Sequence, residues 1–141
     1  MMRVLLDTDV VLDVIMGRVP FAKEAGELLD LSEQGAFVAY VSAITPLNIF
    51  YVARKLKSAA DLRLAVQALL TTVRVCTVDE SILKDAFALP FGDYEDAVQH
   101  CCASANNLEG IVTRNLKDYK NATLPVFSPT DFLKKLESQQ P

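Results

Sequence analysis

The sequence predicts a single α/β domain, a parallel sheet of about four to five strands with helices on both faces. Three observations carry that expectation. Short aliphatic runs without alternation, Arg3-Val4-Leu5-Leu6 first among them, read as strands buried on both faces, the usual form in a parallel sheet. Segments with apolar residues at helical spacing separate these runs almost throughout. The length, 141 residues, suits one domain with a full core and is too short for two. The domain is expected over residues 1–134, with residues 135–141 as a polar C-terminal tail.

The first strand stops at an acid, Asp7, and a second acid, Asp9, follows two residues later. Apolar residues then return at helical spacing (Val10, Val11, Val14, Ile15), with Thr8 or Asp9 as the expected N-cap. Gly17-Arg18-Val19-Pro20 reads as a break, and Pro20 suits the opening of a helix. From Phe21 to Gln34 one face repeats Phe21, Ala25, Leu28 and Leu29, and Gly35 suits the position just past the helix. Phe37 to Val41 is a second buried strand, and Ser42 is the expected N-cap of a helix from Ala43 to about Leu56. Pro46 falls in that helix's first turn, where a missing N–H costs little. Arg54, Lys55 and Lys57 place positive charge at its C-terminus.

Ser58 to Val73 reads as an amphipathic helix with Leu62, Ala65, Val66, Leu69 and Leu70 on its apolar side. Arg74 to Val78 is a short strand, and Asp79 caps a helix to about Ala88. Pro90 and Gly92 force a turn before a helix from Asp93 to Leu108, with Ala97, Val98, Cys101 and Ala105 as its expected inward face. Ile111 to Thr113 and Pro125 to Phe127 are the remaining strands. Ser128-Pro129 opens a terminal helix that gives way to the polar residues Ser138 to Pro141.

Composition narrows the function classes. Apolar residues make up 51% and charged residues 23%, which is ordinary for a globular protein and excludes general disorder. No apolar run approaches the roughly 18 residues of a membrane span, and no signal-peptide pattern opens the chain. Three cysteines, two of them adjacent, do not make a disulfide framework, so a reducing, cytoplasmic setting is expected. The net charge of −4 gives nucleic acid no general attraction. Any nucleic-acid substrate needs a local basic patch or metal ions. His100 is the only histidine, which leaves Ser-His-Asp, Cys-His and His-rich zinc sites with little support. Neither a Walker A sequence nor Gly-x-Gly-x-x-Gly is present.

Three places put oxygen ligands at strand or helix ends. Asp7 falls at the carboxyl end of a central strand, where open α/β sheets bind ligands, and a carboxylate buried there needs a cation or donors. Asp93 and Asp96 are three apart at a helix start and can face the same way, whereas Glu95 is expected to point into solvent. Thr113, Asn115 and Asp118 follow another buried strand. Capping and turn formation account for each group alone. Together they suggest one or two divalent cations, and an all-oxygen set suits Mg²⁺ or Mn²⁺ rather than zinc.

The order Asp7, then Asp93 and Asp96, then Asn115 and Asp118 resembles the PIN domain family, small α/β metal-dependent ribonucleases that include toxins of toxin–antitoxin pairs. The likeness spans almost the whole chain through Leu5-Leu6-Asp7-Thr8-Asp9-Val10, Ser42-Ala43-Ile44-Thr45, Asp96-Ala97, and Val112-Thr113-Arg114-Asn115 with Asp118-Tyr119. It implies an endoribonuclease that hydrolyses RNA with a metal-activated water. Asp7, Asp93, Asp96 and Asp118 would hold Mg²⁺ or Mn²⁺. Asp7, Asn48, Asp96 and Asn115 would form the catalytic set. Arg18, Thr113, Arg114 and Lys117 would meet the substrate. A small antitoxin partner and a homodimer are implied as well.

Two departures stand out. Family members usually carry Glu where this chain has Asn48, and commonly an acid where it has Asn115. Fewer charges imply weaker metal affinity, and a nucleic-acid-binding protein without catalysis is the alternative. A lesser resemblance links Asp7-Thr8-Asp9-Val10 to haloacid-dehalogenase-type phosphatases. Those enzymes are generally longer and keep a lysine just ahead of the late acids, whereas the nearest lysine here, Lys84, falls in another helix.

Overall fold

The computed structural model describes residues 1–139; residues 140 and 141, the end of the expected tail, lie outside the described residues. Five parallel strands form one sheet: β1 (Arg3–Leu6), β2 (Val38–Ser42), β3 (Arg74–Cys76), β4 (Gly110–Val112) and β5 (Val126–Phe127). Their spatial order is β3-β2-β1-β4-β5. Val4 lies opposite both Ala39 of β2 and Gly110 of β4, so β1 is the centre of the sheet. The fold class is the one expected.

Seven α-helices cover the sheet among the described residues: α1 (Thr8–Ile15), α2 (Phe21–Glu33), α3 (Thr45–Ala53), α4 (Ala59–Thr72), α5 (Glu80–Asp85), α6 (Tyr94–Ala105) and α7 (Pro129–Ser138). On one face, Val4, Leu6, Ala39, Val41 and Val112 pack with Val10, Leu28, Ile49, Val66 and Phe132 from α1, α2, α3, α4 and α7. On the other, Leu5, Cys76 and Ile111 meet Cys102 and Ala103 of α6. The central strands β1 and β4 are therefore buried on both faces, as their non-alternating composition requires, while the edge strands β3 and β5 are partly exposed.

Gly35 has φ +85°, the left-handed conformation expected of it, and closes α2. Gly110 matters through close approach instead. A Cβ there would sit 2.8 Å from the Phe127 ring and 3.0 Å from the Pro125 carbonyl oxygen.

Several expected boundaries and faces move, each for a local reason. Asp7, not Thr8 or Asp9, caps α1, accepting from the Asp9 backbone N–H. Ser42 ends β2 rather than capping α3, which starts at Thr45 without a side-chain cap. The Ser42 hydroxyl is instead within 3.3 Å of the Thr45 hydroxyl. Leu70 is exposed because the inward stripe of α4 runs through Leu62, Val66 and Leu69. On α6, Ala97 and Val98 are buried as expected, together with Gln99, His100, Cys102 and Ala103, while Cys101 is half-buried and Ala105 exposed. The expected tail begins as structure, since α7 runs on to Ser138 and buries Leu136.

Candidate active site

The sheet order reverses direction between β1 and β4, and the crevice outside their carboxyl ends is where such sheets bind ligands. Asp7 follows β1 directly. Its backbone N–H donates to the Val112 carbonyl at 2.9 Å, so the ladder itself fixes the residue beside the end of β4. The carboxylate is buried, with 4% exposure. Neutral donors hold it: the Gln99 amide donates to Oδ1 at 3.0 Å and the Thr113 hydroxyl to Oδ2 at 2.8 Å. Burial without such donors would cost several kcal/mol, on the order of 2–7 for one polar group.

Gln99 is the hub of this arrangement. It is completely buried on α6, and its Oε1 accepts from the Thr8 backbone N–H at 3.1 Å, tying α6 to the start of α1. Its Nε2 also donates to the Tyr119 hydroxyl at 3.1 Å, and Tyr119 donates to Asp96 Oδ1 at 3.3 Å. Asp7 and Asp96 are thus separated by at most three hydrogen-bond lengths. Asp93 caps α6 by accepting from the Asp96 N–H at 3.0 Å, so its capping role and its place beside the cleft coexist.

A cleft of about 450 Å³ brings together Asp7, Asn48, Asp93, Asp96, Asn115 and Asp118, every residue assigned above to catalysis or metal binding. It also contains two acids expected elsewhere, Asp9 as a helix cap and Glu95 in solvent. Asn115 donates to Asp9 Oδ2 at 2.8 Å, whereas Asp9 Oδ1 is buried with no hydrogen-bond partner. Glu95 is half-buried rather than solvated. Its carboxylate accepts from the Asn48 amide across the cleft, because the second residue of α6 is turned toward α3.

The crowding shows in the protonation equilibria. Burial, and then the charge on Asp7 and Asp93, pushes Asp96 up to about 8. Burial, and then Asp7, pushes Asp9 up to about 7, against a lowering pull from Arg114. Glu95 is raised for the same first reason, burial, with Asp7 and Asp93 adding to it. No lysine or arginine is among the described residues that line the cleft.

The residues expected to meet substrate separate into three positions. Arg114 is engaged elsewhere: its Nε and Nη2 grip buried Asp13 at 2.9 and 3.1 Å, and its guanidinium lies 4.1 Å from the Phe21 ring centre. Arg18 reaches the same carboxylate at 3.4 Å. Thr113 is fully buried beneath the cleft, where it positions Asp7. Lys117 remains exposed and lines an adjoining cleft of about 620 Å³ together with Asp93, Asp118 and Lys120. Lys84 pairs with Glu80 on the surface of α5, outside this constellation.

Among the described residues, no three acidic, histidine or cysteine side chains close around a metal as a finished cage. An open, all-oxygen cleft still fits Mg²⁺ or Mn²⁺, since such ions keep several waters and take only one or two carboxylates. The partnerless Asp9 Oδ1 is the atom most in need of one.

A family model of the PIN domain matches residues 3–117. The chain belongs to the PIN domain family. Members are typically nucleases, and they generally use divalent metal ions. Solved PIN-fold structures resemble this one at low identity. The VapBC complex of Salmonella typhimurium, bound to DNA, superposes with a TM-score of 0.70 at 19% identity, covering 92% of this chain and 99% of that one. VapBC-1 of nontypeable Haemophilus influenzae gives 0.67 at 24%, again covering 92% and 99%. FitAcB of Neisseria gonorrhoeae gives 0.66 at 21%, covering 90% and 98%. No curated protein sequence matches the chain.

Proposed function

We propose that this PIN domain is a Mg²⁺- or Mn²⁺-dependent endoribonuclease, the toxin of a toxin–antitoxin pair. The observation that carries the reading is a cleft of carboxylates held in place by neutral donors with no cation among its lining residues. Asp7, Asp93, Asp96 and Asp118 would hold the ion, with Asp9 beside them in the same cleft. A bound cation would lower the pKa of an attacking water and neutralise charge that develops on the phosphate. Gln99 and Thr113 keep Asp7 in one orientation, and Tyr119 does the same for Asp96. Asn115 orients Asp9. Lys117 and its neighbour Lys120 would meet phosphates flanking the scissile bond, in the adjoining cleft.

The structural relatives include toxin–antitoxin complexes, and this supports a small antitoxin as partner. Leu47, Tyr51, Leu56 and Leu64, from α3 to α4, are each at least two-thirds exposed and give such a partner, or a second copy of the chain, apolar surface to cover. A cytoplasmic setting belongs to the same reading. The described residues include no helix long and apolar enough to cross a membrane.

Incubation of structured RNA with the purified protein and Mn²⁺ should give discrete internal cuts that chelator abolishes. Binding of RNA without cleavage would favour the alternative suggested by Asn48 and Asn115, a PIN fold that only binds. Cleavage unaffected by chelator would contradict the proposal.

A further inference from the structure

We propose that Glu95 is a metal-binding acid of this cleft, that it supplies the charge position 48 lacks, and that Asn48 is its positioning residue. The inference rests on the metal-dependent reading above. Asn48 on α3 and Glu95 on α6 meet across the cleft, side chain to side chain, with the Asn48 amide donating to the Glu95 carboxylate. A carboxylate at position 48 could not make this contact, because it has no N–H to give. The asparagine is thus chemically matched to its partner rather than simply a lost acid.

Two further features suit a cation at Glu95. It lies in the first turn of α6, where the unpaired backbone N–H groups and the helix dipole stabilise negative charge. It shares the cleft with Asp7, Asp9 and Asp96, whose charges a cation bound there would offset together with its own. The geometry also bears on restoring the usual family acid. A glutamate at position 48 would reach one methylene farther than asparagine and meet the Glu95 carboxylate head-on. Asn48→Glu alone therefore adds repulsion, and only an exchange of the two roles restores the balance.

Calorimetric titration with Mn²⁺ tests the assignment on wild type, Asp7→Asn, Glu95→Gln, Asn48→Glu and the double exchange Asn48→Glu/Glu95→Gln, each first checked by thermal melt. Glu95→Gln should weaken binding at least about tenfold, Asn48→Glu should not tighten it, and the double exchange should return to within about threefold of wild type. Wild-type affinity in Glu95→Gln, with binding lost in Asp7→Asn, overturns the Glu95 assignment and leaves the metal reading standing. Failure of the double exchange to recover overturns the pairing with position 48. No binding by wild type overturns the metal reading and this inference together.

Discussion

Gln99 shows how much of this site depends on a residue that performs no chemistry. Both its amide hydrogens are used, one on Asp7 and one on Tyr119, and its carbonyl oxygen receives the Thr8 N–H. Gln99→Leu keeps the volume but leaves the buried Thr8 N–H without this acceptor and Asp7 Oδ1 with only the long bond, 3.4 Å, from the Asp9 N–H. We expect a loss of about 2–3 kcal/mol in chemical denaturation, the cost of an unsatisfied buried polar group at the charged end of its range. Asp96→Asn acts in the opposite sense. With its carboxyl pushed up to about 8 by burial and by Asp7 and Asp93, ionisation of Asp96 strains the metal-free fold. Removing that charge should raise stability at pH 8.5 by about 1–2 kcal/mol, a value discounted because the group is only half-buried. The same variant should abolish cleavage. A large loss of stability would mean that Asp96 serves the helix start and nothing more.

The acids that sequence reading placed elsewhere, Asp9 and Glu95, lie one or two residues from acids it assigned to the site. Successive helical positions differ by about 100° in direction, so which acid of a cluster faces a cleft depends on where the helix begins. For α1 the cap is Asp7 itself, which swings Asp9 inward. Gln99 escaped notice because a glutamine on an otherwise apolar face carries no signal of its partners.

At the scale of elements, the aliphatic strands and the amphipathic stripes were legible because burial on both faces leaves little freedom in composition. All five strands fall where the runs of aliphatic residues put them, and Asp79, Asp93 and Ser128 cap the helices expected of them. The face of α6 was legible at Ala97 and Val98 but not at Gln99 and His100, which are buried through bonds to residues far along the chain, among them Thr8 and Thr123. Gly110 carries an element-level constraint that composition hides. The edge strand β5 approaches β4 so closely that a methyl group would press on the Phe127 ring and the Pro125 carbonyl. Gly110→Ala should cost about 1–3 kcal/mol, the usual penalty of overpacking, seen as a lowered melting temperature. An unchanged melt would mean that β5 can shift aside freely.

For the whole molecule, the fold concentrates negative charge at one end of the sheet, and this sets how stability responds to pH. Asp9 and Asp96 have folded-state values raised to about 7 and about 8, from 3.8. Their contribution is fully present below the unfolded value and is lost as pH rises through the folded ones. His100, pushed down by burial, works in reverse: its contribution is present above 6.5 and is lost as pH falls through its lowered value. Between pH 6.5 and 8.5 the cleft acids set the direction, since the hydrogen-bonded thiols of Cys76 and Cys102 are shifted in opposite senses, Cys76 down and Cys102 up. The metal-free melting temperature should therefore fall across that window, and saturating Mn²⁺ should flatten or reverse the fall. A metal-free protein that stabilises as pH rises from 6.5 would contradict the account of the cleft.

The most direct test of the central claim is Mn²⁺ calorimetry on wild type and Asp7→Asn, with cleavage of a structured RNA followed on the same samples. A metal-dependent ribonuclease predicts that wild type binds and cuts, and that the substitution removes both. If neither protein binds Mn²⁺, the carboxylates serve only as helix caps and hydrogen-bond acceptors, and the proposed function fails.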